Sequence, residues 1–400
     1  MTMQFKVLKS IFFLMMYASS FFALFQVNIV GLEIFIVFSG ISLLLFLSDK
    51  MGLPSDSYLF IITLFFLLAL ATAVMNETPM IDFLVGIIYT LGFCLFYLCF
   101  GTFNVDDDSV LDLFDFIIKI TLFGLALYLP NRFLEANRFV FIPFPFRETG
   151  LMGVILSCSM TLSIYLYIRT QKKKYIIYAF MMFSIVALVP LLKSAGSMIA
   201  VIVLFVFATT NSERKKVIPL LVAGIILIFI GFGERLVMKI QSAQYFALTN
   251  ADIAARPAMY VTSYRLALDK FPLGSGAGTF GSIPSRFPNY SSIYYDYGLD
   301  SIWGLRPEDA LTERDFFLDT YWPHILGEYG FIGSALFLWL WVFPIMTANK
   351  RNVSRPDRFL IVALIIGVSI QGVALYAPES LLIMMFYSGI SRLILRKYGI

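Results

Sequence analysis

The chain has 400 residues, of which 59% are hydrophobic and only 14% are charged. A soluble domain carries about 25% charged residues, so this composition excludes an ordinary soluble protein and predicts a polytopic membrane protein. The net charge of +4 does not indicate a nucleic-acid partner, because the basic residues lie mostly at the ends of apolar runs, where membrane orientation explains them. Lipid offers no partner to an unpaired backbone group, so the spans are predicted to be α-helices.

Apolar runs long enough to cross a bilayer predict about twelve transmembrane helices. Nine precede a long polar segment, at 7–26, 31–47, 58–74, 81–100, 114–129, 150–168, 175–192, 197–208 and 217–232, and three follow it, at 325–346, 359–376 and 381–395. The predicted organisation is therefore helices 1–9 within residues 1–232, a large outward loop over 233–322, and helices 10–12 within 323–400. The three cysteines fall in apolar runs, where small apolar fillers are expected rather than a disulfide or a metal site.

Lysine and arginine in the short connections predict the orientation, since such residues favour the cytoplasmic side. Residues 169–174, 214–216 and 350–351 carry most of them on one side, which places both termini in the cytoplasm and the long loop outside. The acidic run 106–108 falls on the same side, but acidic residues weigh little in this rule. Lys119 is expected to snorkel to the nearby interface rather than to mark a site.

The long loop is predicted to begin with a helix. Asn250 or Asp252 can cap its start, and it is expected to end near Lys270, before a proline and a glycine series. Arg256 and Arg265 lie nine residues apart on this helix, so at about 100° per residue they point in opposite directions. Only one of the two is therefore expected to face a given site.

The middle of the loop contains three features with alternative interpretations. Gly274, Gly276 and Gly278 permit a tight turn in which backbone N–H groups approach an anion, although a simple flexible turn explains them as well. The tyrosine-rich stretch 287–297 could stack on sugar rings or lie at the membrane interface. The mixed charges of 306–309 are expected to be solvated.

The chain's only histidine lies where the loop returns to apolar sequence. Asp319 or Thr320 can cap the next helix, and Pro323 falls in its first turn, where proline is tolerated. His324 then lies near a helix N-terminus, whose dipole disfavours the imidazolium and helps to keep a neutral base available. A purely structural histidine is the alternative. Arg147 and Lys193 occur in other outward connections, so one outward cavity could gather all these residues.

Read together, these motifs resemble the O-antigen polymerase and O-antigen ligase superfamily of bacterial membrane enzymes. Arg256 stands at the family's arginine, and residues 271–280 match its Pro-Leu-x-Gly-x-Gly-x-x-Phe-like stretch. Residues 328–333 match its closing Glu-x-Gly-x-x-Gly motif, and Arg147 looks like its arginine before an earlier span. The position of the loop after about nine spans also fits the membrane layout of the family.

Two departures from the family pattern bear on its branches. The ligase-like pattern has Ser-Arg-Gly where this chain has 194–196, Ser-Ala-Gly, although Lys193 could supply the charge from another angle. Counted back from Glu328, the usual His-Asn pair falls on Asp319 and Thr320, and His324 lies five residues after Asp319. These departures favour a polymerase-like or divergent branch over a typical ligase.

The resemblance implies an all-α, GT-C-like membrane protein that transfers glycans at the outer face of the bacterial cytoplasmic (inner) membrane. The donor would be an oligosaccharide on undecaprenyl diphosphate. The predicted function is a repeat-unit polymerase for O-antigen, capsule or exopolysaccharide, with another lipid-linked repeat unit as acceptor; an O-antigen ligase would instead use a lipid A core sugar. Implied partners are the lipid-linked oligosaccharide, membrane lipid and a chain-length regulator, and no nucleic acid.

A diphosphate leaving group needs cationic, multidentate partners rather than a nucleophile, and an acceptor hydroxyl needs a base. Neither a metal nor a cofactor is expected. The predicted catalytic residues are Arg256, with His324 or Asp319 as base, and the predicted substrate-binding residues are Arg147, Arg265, Lys193, Gly276 and Gly278.

Three other functions stay open from the sequence. A transporter or flippase of lipid-linked oligosaccharides would call for ionisable residues in mid-membrane and for related halves. A peptidoglycan-type polymerase has a comparable layout, but the closing motif fits the O-antigen enzymes better. A structural membrane partner without activity would not need its arginines and histidine to converge.

Overall fold

The computed structural model describes residues 56–101, 106–136, 149–188, 192–208, 250–286, 290–310, 316–318, 320–371 and 377–398. Within these ranges the regular structure is entirely helical, as predicted. Eleven α-helices occur there: α1 Asp56–Met75, α2 Met80–Phe100, α3 Asp107–Ala136, α4 Thr149–Thr170, α5 Lys173–Leu188, α6 Leu192–Ala208, α7 Ala255–Asp269, α8 Ser292–Asp296, α9 Tyr321–Lys350, α10 Arg355–Gln371 and α11 Ala377–Arg396. Two single turns of 3-10 helix lie at Leu299–Ser301 and Pro307–Asp309.

Three of these helices are long and apolar enough to cross a membrane, namely α1, α2 and α9. This suggests a membrane protein, but the prediction of about twelve spans is not confirmed in the described ranges. Helices α5, α6 and α10 have 16, 17 and 17 residues, short of the roughly 20 that a bilayer needs. Helix α3 begins with two aspartates and carries a lysine. The predicted spans at 7–26, 31–47 and 217–232 lie outside the described residues.

The helices pack as a bundle whose interior is largely aromatic. Helix α2 packs on α11, α10 packs on both α4 and α6, and α9 packs on α1 and α7. Phe93 of α2 meets Phe337 and Trp341 of α9 edge-on. Cys94 and Cys158 are free and buried, which confirms the expected apolar filling for these two. The side chain of Cys99 lies outside the description.

Charged residues from three connections predicted to share one side do lie together. Asp107, at the start of α3, forms ion pairs with Arg169 and with Lys397, at the ends of α4 and α11. Asp107, the central residue of the acidic run 106–108, is therefore neutralised by basic neighbours. Lys119 pairs with Asp115 at 2.5 Å, and its side chain is 61% exposed; its location at a membrane interface stays a prediction.

Asp357 completes this group, which we call the Asp357 cluster (Asp107, Tyr165, Arg169, Asp357, Lys397 and Tyr398). The carboxylate is fully buried and accepts hydrogen bonds from the hydroxyls of Tyr165 and Tyr398, at 2.5 and 2.6 Å. Burial raises the pKa of a carboxyl, but these two hydroxyls and the Lys397 ammonium outweigh it and hold the pKa of Asp357 below its ordinary value. The cluster thereby ties the ends of α3, α4, α10 and α11.

The first helix of the loop, α7, begins later than predicted and ends where predicted. Its N-cap is Ala254, without a side-chain cap, so neither Asn250 nor Asp252 caps it. Asn250 instead accepts the N–H groups of Ile253 and Ala254 in a preceding turn. Lys270 is the C-cap, as expected. The predicted start of α7 was wrong because Asn250 accepts these hydrogen bonds through its backbone carbonyl, in a turn before the helix, and not through its side chain.

Part of the tyrosine-rich stretch belongs to an internal core of the loop, while Tyr295 is 54% exposed. Tyr294 is buried, with its ring centroid 4.9 Å from that of Phe317 and 5.7 Å from that of Phe280. Tyr290 lies 5.0 Å from Tyr294 by the same measure, and its hydroxyl donates to a backbone carbonyl at 2.7 Å. The buried ring of Tyr294 is therefore part of the loop's core, whereas Tyr290 and Tyr297 line a cleft described below.

The mixed-charge stretch 306–309 is only partly solvated. Glu308 is exposed, as predicted, whereas Asp309 is 5% exposed. Asp309 accepts the N–H of Gly304 at 2.8 Å, and that bond offsets the cost of its burial. The prediction was therefore wrong for Asp309, and residues 311–315 lie outside the described ranges.

Candidate functional site

Helix α9 is broken at Gly330. This residue has φ 58° and ψ −162°, a conformation that essentially only glycine adopts, so α9 consists of the segments 321–329 and 331–350. A helix break leaves peptide groups without their usual partners. One of them, the N–H of Ile332, donates to the carbonyl of Pro272 at 3.3 Å. The break is therefore a docking point for the loop.

The glycine stretch, residues 271–281, fills the other side of this break. Ser275 and Gly276 donate their N–H groups to the carbonyls of Gly327 and Glu328, at 3.0 and 2.9 Å. The stretch and the broken helix thus complete each other's backbone hydrogen bonds. The N–H of Gly276, which the sequence suggested for an anion, is directed to the helix in this structure.

Glycines in this stretch are required by close packing as well as by their backbone conformation. Gly274, Gly276 and Gly278 all have positive φ, at 77°, 102° and 86°, which confirms the predicted tight turn. A Cβ on Gly278 would lie within 2.7 Å of the Asp82 carbonyl carbon, and one on Gly86 would lie 2.6 Å from the Gly278 nitrogen. The stretch therefore lies directly on the backbone of α2.

Glu328 anchors the glycine stretch with its side chain. Its Oε1 accepts the N–H of Phe280 at 2.9 Å and the hydroxyl of Ser282 at 2.6 Å. The residue is fully buried. These two hydrogen bonds to one buried side chain fix the end of the stretch against α9.

His324 lies one turn before Glu328 and is also buried, at 2% exposure. Its Nδ1 is 3.3 Å from Glu328 Oε2, without hydrogen-bond geometry. Its Nε2 is 3.3 Å from Thr90 Oγ1, which is 2.7 Å from the hydroxyl of Tyr329. The imidazole is therefore held between Thr90 of α2 and Glu328 of its own helix. This fits the alternative in which the histidine has a structural role.

The other predicted site residues are only partly within the described structure. Arg147 and Asp319 lie outside the described ranges, and so does the side chain of Lys193 in the first turn of α6. Helix α9 begins with Thr320 as N-cap, in agreement with one of the two expected caps, but without a side-chain hydrogen bond. The proposed gathering of these residues around one cavity stays a prediction.

Arg256 and Arg265 lie on one continuous helix, as predicted. Arg256 is half-buried in the first turn of α7, and Arg265 is exposed. Burial raises the pKa of the neighbouring Tyr260 to about 12, while the charge of Arg256 acts in the opposite direction. The phenol of Tyr260 is therefore neutral at physiological pH.

An apolar groove of about 650 Å³ runs between α7 and α9. Its walls include Tyr260, Tyr264, Leu268, Trp322 and Leu338. Arg265 also lines it and is the one charged residue among the described side chains of its lining. In the described part of the chain, the groove therefore combines an apolar surface with a guanidinium.

A polar cleft of about 620 Å³ lies against the opposite edge of α7, between its C-terminal end, the α1–α2 turn, the glycine stretch and α8. Gly278 lines it, so one of the predicted substrate-binding residues does face a cleft. Among the described residues, four carboxylates and one ammonium also line it: Glu77, Asp82, Asp269, Asp296 and Lys270. His324 and Arg256 line neither this cleft nor the apolar groove.

The spacing of four residues between His324 and Glu328 is itself a sequence signal for this pair. Residues four apart on a helix share one face, so these two side chains had to be neighbours once α9 formed. The acids of the polar cleft carried no such signal, because they come from three separate segments. In the described part of the chain, no group of three His, Cys, Asp or Glu residues is placed to hold a metal ion.

No protein-family model and no curated protein matches this chain. The fold and the site therefore define a helical protein with candidate membrane spans and two clefts beside a broken helix. The resemblance to the O-antigen superfamily therefore stays a prediction.

Proposed function

We propose that this protein is a polysaccharide repeat-unit polymerase of the bacterial cytoplasmic membrane. It transfers a glycan from undecaprenyl diphosphate to the acceptor sugar of another lipid-linked repeat unit. The main support is that the two motifs behind the resemblance pack together as one unit. Ser275 of the glycine stretch donates both its N–H and its hydroxyl to the carbonyl of Gly327, the residue before the closing motif. This unit adjoins the apolar groove, whose wall includes α9.

The apolar groove suits a polyprenyl diphosphate. An apolar chain gains free energy when it leaves water for apolar side chains, and α9 is itself a candidate membrane span. A guanidinium binds phosphate oxygens through paired hydrogen bonds. Arg265 lies on the groove, whereas Arg256 does not. The groove thus favours Arg265 over Arg256, the first choice from sequence, as the partner of the diphosphate.

In this proposal the leaving diphosphate is stabilised by arginine, and the acceptor hydroxyl loses its proton to a carboxylate or imidazole. Asp319 is the stronger candidate for the base, because His324 is buried between Thr90 and Glu328 and lines neither cleft. His324 would act as the base only after α9 and α2 separate around it. No metal or cofactor takes part in the proposed reaction.

One observation favours the transporter as a second candidate function. Transporters often carry their substrate site at a broken membrane helix, and α9 is broken at Gly330. In such proteins the freed backbone groups face the substrate or a coupling ion. Here the carbonyls of Gly327 and Glu328 accept hydrogen bonds from the loop instead. The polymerase therefore ranks first.

The test is reconstitution of the full chain in liposomes with purified undecaprenyl-diphosphate-linked repeat unit. The wild type is expected to produce a ladder of lipid-linked products. Arg265→Ala is expected to lower the rate at least about a hundredfold, as the loss of one charge-stabilising donor does in other enzymes. Arg306→Ala is the matched control, because this loop arginine lines neither cleft and makes two long contacts, one of 4.0 Å to Glu308 and one hydrogen bond of 3.4 Å to the Ser301 carbonyl.

Other results would change the proposal. A ladder that persists in Arg265→Ala but disappears in Arg256→Ala would return the diphosphate to the arginine chosen from sequence. A ladder lost in His324→Ala with unchanged thermal stability would make the histidine the base. Transfer only to an added lipid A core would make the protein a ligase. Movement of the donor across the membrane without any product would make it a transporter.

A further inference from the structure

The loop helix α7 has apolar residues on two of its sides. One side, with Met259 and Leu266, is buried against the rest of the protein. The other side carries Tyr264 and Leu268, four residues apart and therefore neighbours on the helix surface, and both are exposed. Phe271, the residue after the C-cap, is 70% exposed. The helix thus presents an apolar surface that its own packing does not bury.

Phe331 joins this exposed surface to α9. Its ring centroid lies 6.3 Å from that of Tyr264 and 6.0 Å from that of Phe271. Ile332, the next residue of α9, is exposed. We call these residues the aromatic patch (Tyr264, Leu268, Phe271, Phe331 and Ile332). The patch therefore lies where the second segment of α9 begins, directly after the break at Gly330.

The continuation of the patch along α9 indicates what covers it. Helix α9 is a candidate membrane span, and Leu338, further along the same segment, is also exposed. Exposed apolar side chains of a spanning helix face lipid. The patch is held next to this surface, because the N–H of Ile332 donates to the carbonyl of Pro272, the residue after Phe271, at 3.3 Å. The patch therefore extends the lipid-facing surface of α9 onto the loop.

The composition of the patch suits the boundary between headgroups and acyl chains. A ring with a polar tip, such as that of Tyr264, is typical of this boundary. Arg265 is exposed beside it, and an arginine can lay its stem on apolar surface while its guanidinium reaches headgroup phosphates. The carboxylate of Asp269 is directed to the polar cleft, where it accepts the hydroxyl of Tyr297 at 2.6 Å. A positive charge therefore adjoins the patch, and this negative charge lies away from it.

We infer that the aromatic patch is a membrane-contact site, through which the loop helix α7 rests on the lipid surface beside α9. Tyr264 and Leu268 belong both to the patch and to the apolar groove, so the groove opens at the lipid surface. The contact with lipid does not depend on the proposed function. Entry of a polyprenyl diphosphate into the groove through this opening does rest on it.

Tryptophan in place of Phe271 tests the contact, because Phe271 belongs to the patch but does not line the groove, where a bound lipid could be mistaken for the bilayer. The full chain is placed in nanodiscs of phosphatidylcholine with either brominated or ordinary acyl chains. The measured quantity is the fluorescence that the variant adds to that of the four native tryptophans. Phe271→Trp is expected to lose at least about half of it in brominated lipid, since interfacial side chains reach roughly 5–10 Å into the headgroup and acyl boundary.

Tyr295→Trp is the matched control. Tyr295 is as exposed as Tyr264, at 54%, but it lies on α8, across α7 from the groove. Its added fluorescence is expected to be the same in brominated and ordinary lipid and to be quenched by iodide from the water. The added fluorescence of Phe271→Trp is expected to resist iodide, so the two quenchers should rank the two variants in opposite order.

Three results would overturn the inference. Quenching of Phe271→Trp by iodide but not by brominated lipid would place the patch in water. Quenching by neither would mean that protein covers the patch, such as a second copy of the chain. Equal quenching of both variants by brominated lipid would spread the lipid contact over the loop instead of assigning it to the patch.

The same measurements separate this inference from the proposed function. Quenching of Phe271→Trp in brominated lipid, without any polymerase activity in the wild type, would keep the membrane contact and reject the polymerase. Polymerase activity in the wild type, with no quenching of Phe271→Trp by brominated lipid, would keep the polymerase and reject the contact.

Discussion

Two buried carboxylates, Glu328 and Asp357, show how differently the two ends of the molecule are held. Glu328 accepts a backbone N–H from the glycine stretch and the hydroxyl of Ser282, which follows the stretch, and it lies beside an imidazole. Asp357 accepts two tyrosine hydroxyls and pairs with the Lys397 ammonium at 3.3 Å. One acid therefore holds a loop on a broken helix, and the other joins the ends of complete helices.

Because Glu328 and Asp357 have different partners, we expect their loss to affect different parts of the molecule. Without Glu328, two donors that are buried with it lose their acceptor, and the glycine stretch loses its end point. Without Asp357, the hydroxyls and the ammonium of its cluster remain near one another and near Asp107. Damage to Glu328 should thus appear first in the loop, and damage to Asp357 in the bundle as a whole.

The largest effect is expected for Glu328→Ala. It leaves the N–H of Phe280 and the hydroxyl of Ser282 without an acceptor, at about 1–3 kcal/mol for each group. The loop from 271 to 310 should then be cleaved far faster by a protease added to the protein in detergent. Glu328→Gln is the control, because an amide oxygen still accepts both hydrogen bonds. Equal cleavage of Glu328→Ala and wild type would show that the side chain does not hold the loop.

A smaller effect is expected when the break itself is altered by Gly330→Ala. A Cβ there would lie 2.6 Å from the carbonyl carbon of Leu273, at a φ of 58° and a ψ that disfavours any side chain. We expect a loss of about 2–3 kcal/mol, measured as a lower thermal midpoint. Gly298→Ala is the matched control, because its φ is 70° and its Cβ would meet open space.

That control should cost about 1 kcal/mol, the strain of the left-handed conformation alone. The difference between the two alanine variants therefore measures the contact between the helix break and the glycine stretch. If Gly298→Ala destabilises the protein as much as Gly330→Ala does, the close backbone approach contributes nothing.

The smallest effect, about 1–2 kcal/mol at neutral pH, is expected for Asp357→Asn, since part of its hydrogen bonding survives. The pKa of Asp357 is lower in the folded than in the unfolded state. Its stabilisation is therefore complete above the unfolded pKa of about 4 and is lost as the pH falls through the folded pKa. The thermal midpoints of wild type and variant should converge as the pH is lowered from 7 to 3.

An undiminished difference between the two at pH 3 would mean that the aspartate stabilises the bundle by shape rather than by charge. Cleavage of the 271–310 loop should not change in Asp357→Asn at pH 7. Faster cleavage there would contradict the independence of the two ends.

The sequence predicted those features that depend on residues close together along the chain, such as helix ends and turns. The apolar runs 58–74 and 81–100 correspond to α1 and α2 within a few residues, because length and hydrophobicity decide such helices. The end of α7 at Lys270 and the turn at Gly274 followed from the proline and glycine preferences of the backbone. The class of the fold was therefore readable from composition.

Contacts between distant segments were not readable in this way. The closing motif looked like the start of a span, and only the folded chain shows its glutamate bound to the N–H of Phe280. The break at Gly330 lies within an apolar helix, where a glycine alone does not predict one. The polar cleft combines Glu77, Asp269 and Asp296, which no spacing in the sequence relates.

The position of the Gly330 break along α9 also bears on how deeply the helix would lie in a membrane. The segment that follows it, residues 331–350, is about 30 Å long at 1.5 Å per residue, which equals the thickness of the hydrocarbon core of a bilayer. This segment is long enough to cross the core by itself, and residues 321–329 would then stand at the level of the lipid headgroups. In that arrangement the buried pair His324 and Glu328 would lie where lipid gives way to water, at the junction of loop and helix.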